Sequence, residues 1–200
     1  MQLVQLVPGV PDTFSWRFTT DGVYSAASAY GAMFLGASTP LGAKEVWKTP
    51  APAKVRLFFW LVMHHRCWTS DRCFRHGLRD SPTCIFCDQL PETMDHILLG
   101  CVFSRETWQR ILVRFHLQEV VHVQEEDFMS WWLRSRRLVD KQRRRGFDSL
   151  VFLVGWRLWK ERNSRTFALK SLPVAGLVSA ILNEAEDWCL AGFRSVRELA

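Results

Sequence analysis

Apolar residues recur at helical spacing over most of the chain, and this pattern predicts a mainly α-helical fold. The clearest stripe lies near the C-terminus: Val174, Leu177, Val178, Ile181, Ala185 and Trp188. A helix expected from Pro52 has the body KVRLFFWLVM, which is apolar nearly all round and therefore typical of a buried helix. Caps and turn residues predict further helices after Ser25 and over Thr69–Gly77, Ser104–His116, Asp127–Arg144, Phe147–Phe167 and from Pro173 to near the end.

The N-terminal segment has a different pattern. Residues 14–18, FSWRF, alternate between apolar and polar side chains, which is the period of a half-buried strand. The pair Asp21-Gly22 favours a tight turn, and residues 23–24 are placed to return as a second short strand. The sequence therefore predicts a small β-hairpin before the first helix.

Composition restricts the class of protein. The chain has 200 residues, of which 48% are hydrophobic and 23% charged, as in an ordinary globular protein. The longest apolar runs, Leu57–Met63 and Leu150–Trp156, are far shorter than the ~20 residues that cross a bilayer. Residues 1–12 lack the basic start of a secretory signal. We therefore expect no membrane partner, an intracellular location in nucleus or cytoplasm, and cysteines that bind metal or lie buried as thiols.

Four residues with metal-ligand chemistry lie close together in a turn-rich stretch: Cys84, Cys87, His96 and Cys101. Two cysteines separated by two residues can place both sulfurs on one side of a tight turn, and a His and a Cys with four residues between them can complete a tetrahedron. Zn²⁺ favours such ligands, and four of them leave no position for a catalytic water, so the predicted zinc ion is structural. The alternative interpretation is four unrelated residues, two of them buried thiols.

Positive charge is concentrated in one segment. The formal net charge is +6, and residues 134–145 contain seven basic residues and one acid. On a continuous helix, three of these cations share one side and three extend the charge past its end: Arg134, Arg137 and Lys141, then Arg143, Arg144 and Arg145. This ridge is predicted to contact RNA or DNA phosphates non-specifically, with affinity that falls as salt rises. The alternative is a solvated helix face.

The ten tryptophans divide into two expected groups. Most, including Trp60, Trp108, Trp156 and Trp159, lie in apolar stretches and are expected in the core. Trp68 lies among histidines beside the cysteine-containing loop, and it is the tryptophan to test as an exposed stacking residue, the alternative being a place in the core like the others.

The order of several sequence blocks within residues 12–112 resembles that of a known family. The blocks are FSWRFTTDGVYSAASAY, VWKTPAPAKVRLFFWLVMHHRCWTSDRCFRHGL, CIFC, ETMDHILLGC and SRETW. They resemble the zinc-binding domain near the C-terminus of plant-type non-LTR (LINE-like) retrotransposon reverse transcriptases, and the later GWRLWKERNSRTF resembles the segment that follows it. The resemblance implies that Cys84, Cys87, His96 and Cys101 are zinc ligands and that the domain binds nucleic acid in the service of reverse transcription.

These observations predict two regions: a reverse-transcriptase zinc-binding-like domain at 12–116 and a C-terminal helical region at 127–200. The expected fold is mainly α, with the N-terminal hairpin, a compact Cys₃His lobe between helices, and the C-terminal helices.

The expected function is a zinc-stabilised nucleic-acid-binding module derived from the C-terminal part of a retrotransposon reverse transcriptase. The sequence has no Tyr-x-Asp-Asp polymerase signature and no convincing carboxylate pair, so we do not expect an enzyme. The alternative is a structural or protein-interaction domain, including a degenerate retrotransposon remnant. Such a domain would contact its partner through the amphipathic helices at 127–144 and 173–196.

Overall fold

The computed structural model describes residues 15–33, 41–120 and 126–199. The chain divides into two compact units, residues 1–39 and 40–200. The described residues are mainly helical, as predicted, and their one isolated β-bridge is antiparallel. No helix among them has the length and apolar character needed to cross a bilayer.

The predicted N-terminal hairpin is wrong, because the described part of this segment folds into consecutive turns. The Trp16 amide donates to the Gly22 carbonyl at 2.7 Å. The Asp21 carboxylate accepts a hydrogen bond from the Val23 amide at 3.0 Å, so a side chain occupies a backbone donor that strand pairing would need. Phe14, the first residue of the predicted strand, lies outside the described residues.

Aromatic side chains pack against one another within these turns. The Trp16 ring meets the rings of Phe18 and Tyr24 edge-on, with both centroid distances at 5.1 Å. Helix α1 (Ala26–Met33) follows, and the Ser25 hydroxyl caps it as predicted by accepting a hydrogen bond from the amide three residues later (3.1 Å).

The second unit consists of helices joined by short turns. Its described α-helices are α2 (Ala43–Lys48), α3 (Ala53–Met63), α4 (Ser70–Arg75), α5 (Val102–Arg114), α6 (Phe128–Leu138), α7 (Arg144–Asn163) and α8 (Val174–Leu190). Shorter π-helical turns occur at His96–Gly100 and Ser164–Ala168, and 3₁₀ turns at Gln118–Val120 and Arg194–Leu199. Helices α3, α4, α5 and α8 lie where the sequence predicts them.

Two features of this unit differ from the sequence pattern. The helix predicted over Asp127–Arg144 ends at Leu138, because Val139 is extended and places a side chain that is 2% exposed into the core. The chain then turns and α7 begins at Arg144. Helix α2 was not predicted, since its six residues are too few to show a helical period.

The core forms around α7, most of which is buried. Phe59 of α3 stacks on Phe152 of α7 and on Phe128 of α6, with ring centroids 4.0 and 5.5 Å apart. Gly155 of α7 permits this approach, because a Cβ there would lie 2.7 Å from the Phe59 ring. Helices from before and after residues 121–125 therefore share one hydrophobic core.

Candidate metal centre

The Cys-x2-Cys pair lies in a knuckle between two short extended segments. Thr83 and Pro91 form an antiparallel bridge, and the Cys84 amide donates to the Leu90 carbonyl at 2.9 Å. The chain reverses between them at Asp88, whose amide donates to the Cys84 carbonyl (2.9 Å) and whose φ is +52°. This reversal explains why two cysteines so close in sequence can bind the same ion.

Hydrogen bonds to sulfur orient the knuckle. The Phe86 amide donates to Cys84 Sγ at 3.4 Å, and His96 Nε2 lies 3.4 Å from Cys87 Sγ. The Phe86 amide is a donor directed at sulfur and therefore favours the Cys84 thiolate, which is the form that binds metal.

A π-helical turn supplies the other two donors. Over His96–Gly100 the backbone is wound so that the Cys101 amide donates to the His96 carbonyl at 2.7 Å. This i to i+5 bond brings residue i+5 back beside residue i, whereas an α-helix would place the two on different sides. The spacing of four residues between His and Cys is therefore suited to this turn.

Helix α5 holds the π-turn in place. Ser104 Oγ donates to the Ile97 carbonyl at 2.5 Å, and Trp108 Nε1 donates to the Leu98 carbonyl at 2.7 Å. All four of these residues are buried. The carbonyls that the irregular winding leaves unpaired are thus bonded by side chains.

The four predicted ligands meet at one place. The ligand atoms of Cys84, Cys87, His96 and Cys101 all lie within 4.8 Å of one another, a spread compatible with one ion bonded at about 2.3 Å to each sulfur. Cys84 and Cys101 are fully buried, and the other two are half-buried. Three thiols and an imidazole are donors that suit Zn²⁺, so the residues present fit this ion.

The proximity of these groups shifts their proton affinities when no cation neutralises them. The hydrogen bond from Cys84 to Cys101, together with burial, raises the pKa of the Cys84 thiol to about 12. The same hydrogen bond lowers the pKa of Cys101, and the contact with Cys84 raises the pKa of His96. The cluster therefore retains protons that a divalent cation would displace on binding.

A buried ion pair connects the knuckle to α7. Glu92, which is fully buried, accepts hydrogen bonds on Oε1 from Arg162 Nη2 at 2.6 Å and from the Ser70 amide at 2.8 Å. Its Oε2 accepts a hydrogen bond from the Ile85 amide (3.3 Å), next to the first cysteine. Arg162 is 2% exposed, so both charges lie away from water.

A second contact between the knuckle and the C-terminal region involves an aromatic pair. The rings of Phe86 and Phe103 have centroids 4.7 Å apart. The Arg165 guanidinium lies over both, at 4.9 and 4.4 Å from their centroids. This residue belongs to the π-turn after α7, so the C-terminal region contacts the knuckle twice.

The predicted cationic ridge does not exist as one helix face, because α6 ends before Lys141. Arg134 is paired with Glu126 at 2.8 Å. Arg143 donates to two backbone carbonyls, and Arg144 donates to the Val139 carbonyl at 3.0 Å. Three cations of the set are exposed: Arg137, Lys141 and Arg145. A nucleic-acid role for the six residues stays a prediction.

Trp68, the tryptophan singled out as a candidate for exposure, is 48% exposed, whereas Trp108 is buried and Trp60 partly buried. Sequence reasoning missed the pair Glu92 and Arg162. The sequence does show one charged residue in a turn-forming segment and another in an otherwise apolar segment. Nothing in it indicates that these two residues, 70 positions apart, form a pair.

Comparison with known proteins agrees with this geometry. Residues 24–108 match the family described as zinc-binding in reverse transcriptase, and the match contains all four converging donors. Residues 24–108 are therefore similar to this zinc-binding family, and the predicted resemblance is confirmed.

One similar protein comes from Arabidopsis thaliana and bears the name "Putative ribonuclease H protein". It is 32% identical over 114 residues, which are 55% of this chain and 18% of that protein. The chain thus spans less than a fifth of the length of that relative. No solved structure matches the chain.

Proposed function

We propose that this chain is a zinc-stabilised nucleic-acid-binding module, derived from the C-terminal part of a retrotransposon reverse transcriptase and without polymerase activity of its own. The observation that carries the proposal is the convergence of Cys84, Cys87, His96 and Cys101 within 4.8 Å. Four protein donors fill a tetrahedral shell, so zinc holds the knuckle to the π-turn and leaves no open position for a reacting water.

Charge and kinship support the nucleic-acid part of this proposal. The formal net charge is +6, and Arg137, Lys141 and Arg145 are exposed cations near the turn between α6 and α7. The matching family is described by its place in reverse transcriptase, an enzyme that acts on nucleic acid. Non-specific attraction to phosphates needs such a surface and no base recognition.

Metal analysis of the purified chain tests the structural zinc. We expect about one zinc ion per chain, and loss of that ion in Cys84→Ser together with loss of structure around the knuckle. Cys189→Ser is the matched control, since Cys189 lies in α8 and is not one of the converging donors. Zinc-free protein that unfolds at the same urea concentration as the zinc-loaded protein would contradict a structural role.

Fluorescence anisotropy of a labelled oligonucleotide at several salt concentrations tests nucleic-acid binding. We expect the logarithm of the affinity to fall linearly with the logarithm of salt concentration. Replacement of Arg137, Lys141 and Arg145 by Gln is expected to reduce the slope by up to about three units, one for each lost phosphate contact.

A matched variant distinguishes local contact from overall charge. Lys44, Lys54 and Lys170 are exposed elsewhere, and their replacement by Gln removes the same net charge. The proposal requires a smaller change of slope in this control. Equal slopes in the two triple variants, or no binding at low salt, would refute it.

A protein-interaction domain is the second candidate, and exposed apolar side chains near the C-terminal helices favour it. Phe167, Leu169 and Leu190 are 77%, 89% and 87% exposed. Phe167 and Leu169 are only two residues apart in sequence, and exposed apolar side chains of this size are typical of surfaces that contact another protein. Self-association that disappears when these three residues are replaced by Ser, in a chain that binds no oligonucleotide, would select this candidate.

A further inference from the structure

We propose that Trp68 is a stacking platform for an unpaired base of single-stranded nucleic acid, on a surface formed with Arg72 and His76 (the Trp68 surface). This inference rests on the proposed nucleic-acid-binding function and specifies a part of the surface that carries it. The site lies at the start of α4 and is distinct from the cations between α6 and α7.

The backbone on both sides of Trp68 is anchored while its ring faces solvent. Cys67 and Thr69 are 7% and 3% exposed, and Ser70 is fully buried. The Trp68 side chain between them is 48% exposed. A large apolar ring held outward in this way costs hydration free energy in the free protein, and contact with a planar base would remove that cost.

Neighbouring groups hold the indole in one orientation. The Arg72 guanidinium lies over its ring at 4.6 Å from the centroid, and Arg72 Nη1 donates to the His65 carbonyl at 2.6 Å. The His76 ring meets the indole edge-on at a centroid distance of 5.5 Å. A side chain that is already ordered loses little conformational entropy when a ligand stacks on it.

The charge around Trp68 favours a polyanion over an apolar partner. Residues 64–79 contain four arginines and one aspartate, a formal net charge of +3 with histidines neutral. Arg66 and Arg75 are exposed, and Arg75 is paired at 3.0 Å with the half-buried Asp71 in an i,i+4 contact that contributes little stability because the guanidinium is open to solvent. Arg75 can therefore exchange this carboxylate for a phosphate at small cost.

An aromatic ring among cations matches the chemistry of a single strand. Bases stack on aromatic side chains whatever their identity, and the cations contact the backbone that joins them. A duplex hides its base faces, so the Trp68 surface is expected to prefer an unpaired strand. Zinc supports this surface indirectly, because Glu92 accepts hydrogen bonds from both the amide and the hydroxyl of Ser70 at 2.8 Å.

The test compares two probes of equal charge, an oligothymidylate and an oligomer of the same length built from abasic sugar-phosphate units. The zinc-loaded wild-type chain is expected to bind the oligothymidylate about 5- to 150-fold more tightly, the range that stacking of one base gives. Trp68→Ala should lose that preference and keep the salt slope, whereas Trp68→Phe should retain most of it. Trp47→Ala is the matched control, since Trp47 is 45% exposed, and it should bind like wild type.

The outcomes separate the two proposals. Wild-type protein that binds neither probe refutes the proposed function. Wild-type protein that binds both probes equally keeps the proposed function and overturns the stacking platform, and this comparison does not depend on the folding of any variant. A loss of preference in Trp47→Ala but not in Trp68→Ala, or tighter binding to duplex than to single strand, would also overturn it.

Discussion

The carboxylate of Glu92 joins three separate parts of the chain. It accepts hydrogen bonds from the amide of Ser70 at the start of α4, from Ile85 in the knuckle and from Arg162 near the end of α7. A charge removed from water in this way is stabilised only while its partner remains, because no solvent can replace that partner. Glu92 therefore determines how firmly the zinc lobe is attached to the helices.

Glu92→Gln tests how much this ion pair contributes to the free energy of unfolding. The substitution keeps the shape and a carbonyl acceptor but leaves Arg162 as an uncompensated buried charge, so the free energy of unfolding is expected to fall by about 3–5 kcal/mol. Urea unfolding of the zinc-loaded protein measures the change. Glu106→Gln removes the partner of Arg110 in an exposed pair and should cost less than about 1 kcal/mol. Similar losses in the two variants would show that burial of the pair contributes nothing.

Gly155→Ala tests the close approach of α3 and α7. The added methyl group would lie 2.7 Å from the Phe59 ring. Overpacking costs about 1–3 kcal/mol, and the better helix propensity of alanine returns about 1 kcal/mol, so a net loss of about 1 kcal/mol is expected by thermal unfolding. Gly176→Ala in α8 has its nearest neighbour at 3.4 Å and is expected to be neutral or stabilising. A stabilised Gly155→Ala would contradict the contact.

Among the elements, the π-turn at His96–Gly100 has the most direct chemical consequence. It is five residues long, and its bond from the Cys101 amide to the His96 carbonyl brings the imidazole and the last thiol to one side. Regular α-helix over the same residues would separate these two donors. The local winding, and not the composition alone, produces the four-donor set.

Exchanging Gly100 and Cys101 tests this dependence. The double variant Gly100→Cys, Cys101→Gly keeps every residue type but moves the thiol to position i+4 from the histidine, where the π-turn does not direct it toward the other sulfurs. Zinc affinity, measured by competition with a chromogenic chelator, is expected to fall by more than about 10-fold, a loss that even the removal of a group supporting a ligand can cause.

The control exchanges a neighbouring pair that is not part of the donor set. Arg105→Glu, Glu106→Arg also swaps two adjacent residues, both of them exposed, and leaves all four donors in register. It is expected to retain the zinc ion. Undiminished zinc affinity in the first exchange would mean that the π-turn is not needed.

The sequence predicted well those elements that depend only on the residue pattern within a short stretch of the chain. The stripe of α8 and the apolar body of α3 follow from spacing alone, and the donor set was recognised because Cys and His carry their chemistry in any fold. The end of α6 before Val139 was not predicted, since burial of the Val139 side chain in the core stabilises an extended backbone there more than the local pattern favours a helix. The prediction of an N-terminal hairpin is wrong for a related reason. Alternation of apolar and polar residues gives no information about whether a second strand is available for pairing.

At the scale of the whole molecule, the zinc lobe and the C-terminal helices of residues 40–200 are one folded unit. Glu92 and Arg162 join them by a buried ion pair, and Arg165 lies over the Phe86 ring of the knuckle. These contacts cross 70 or more positions of sequence, which is why no reading of local pattern could predict them. Loss of metal is therefore expected to reach α7 as well as the knuckle.

Hydrogen exchange with and without a zinc chelator tests this coupling. Removal of the ion should expose the amides of residues 84–101 first and then those near Arg162 at the end of α7, because the ion pair loses its fixed partner when the knuckle opens. The middle of α8, which packs through Ile181 and Ala185, should keep its protection. Exchange that rises in the knuckle while the end of α7 is unchanged would show that the two regions open independently.

The position of Arg162 has a practical consequence for expressing this family segment in isolation. A gene fragment cut at the borders of similarity, 24–108, would encode Glu92 without the guanidinium that neutralises it. Such a fragment would contain a buried negative charge without its partner and would expose the apolar faces of α3 and α5 to solvent. We therefore expect it to precipitate on expression. The similarity ends at residue 108, whereas a fragment that keeps this ion pair must extend to Arg162, more than fifty residues further along the chain.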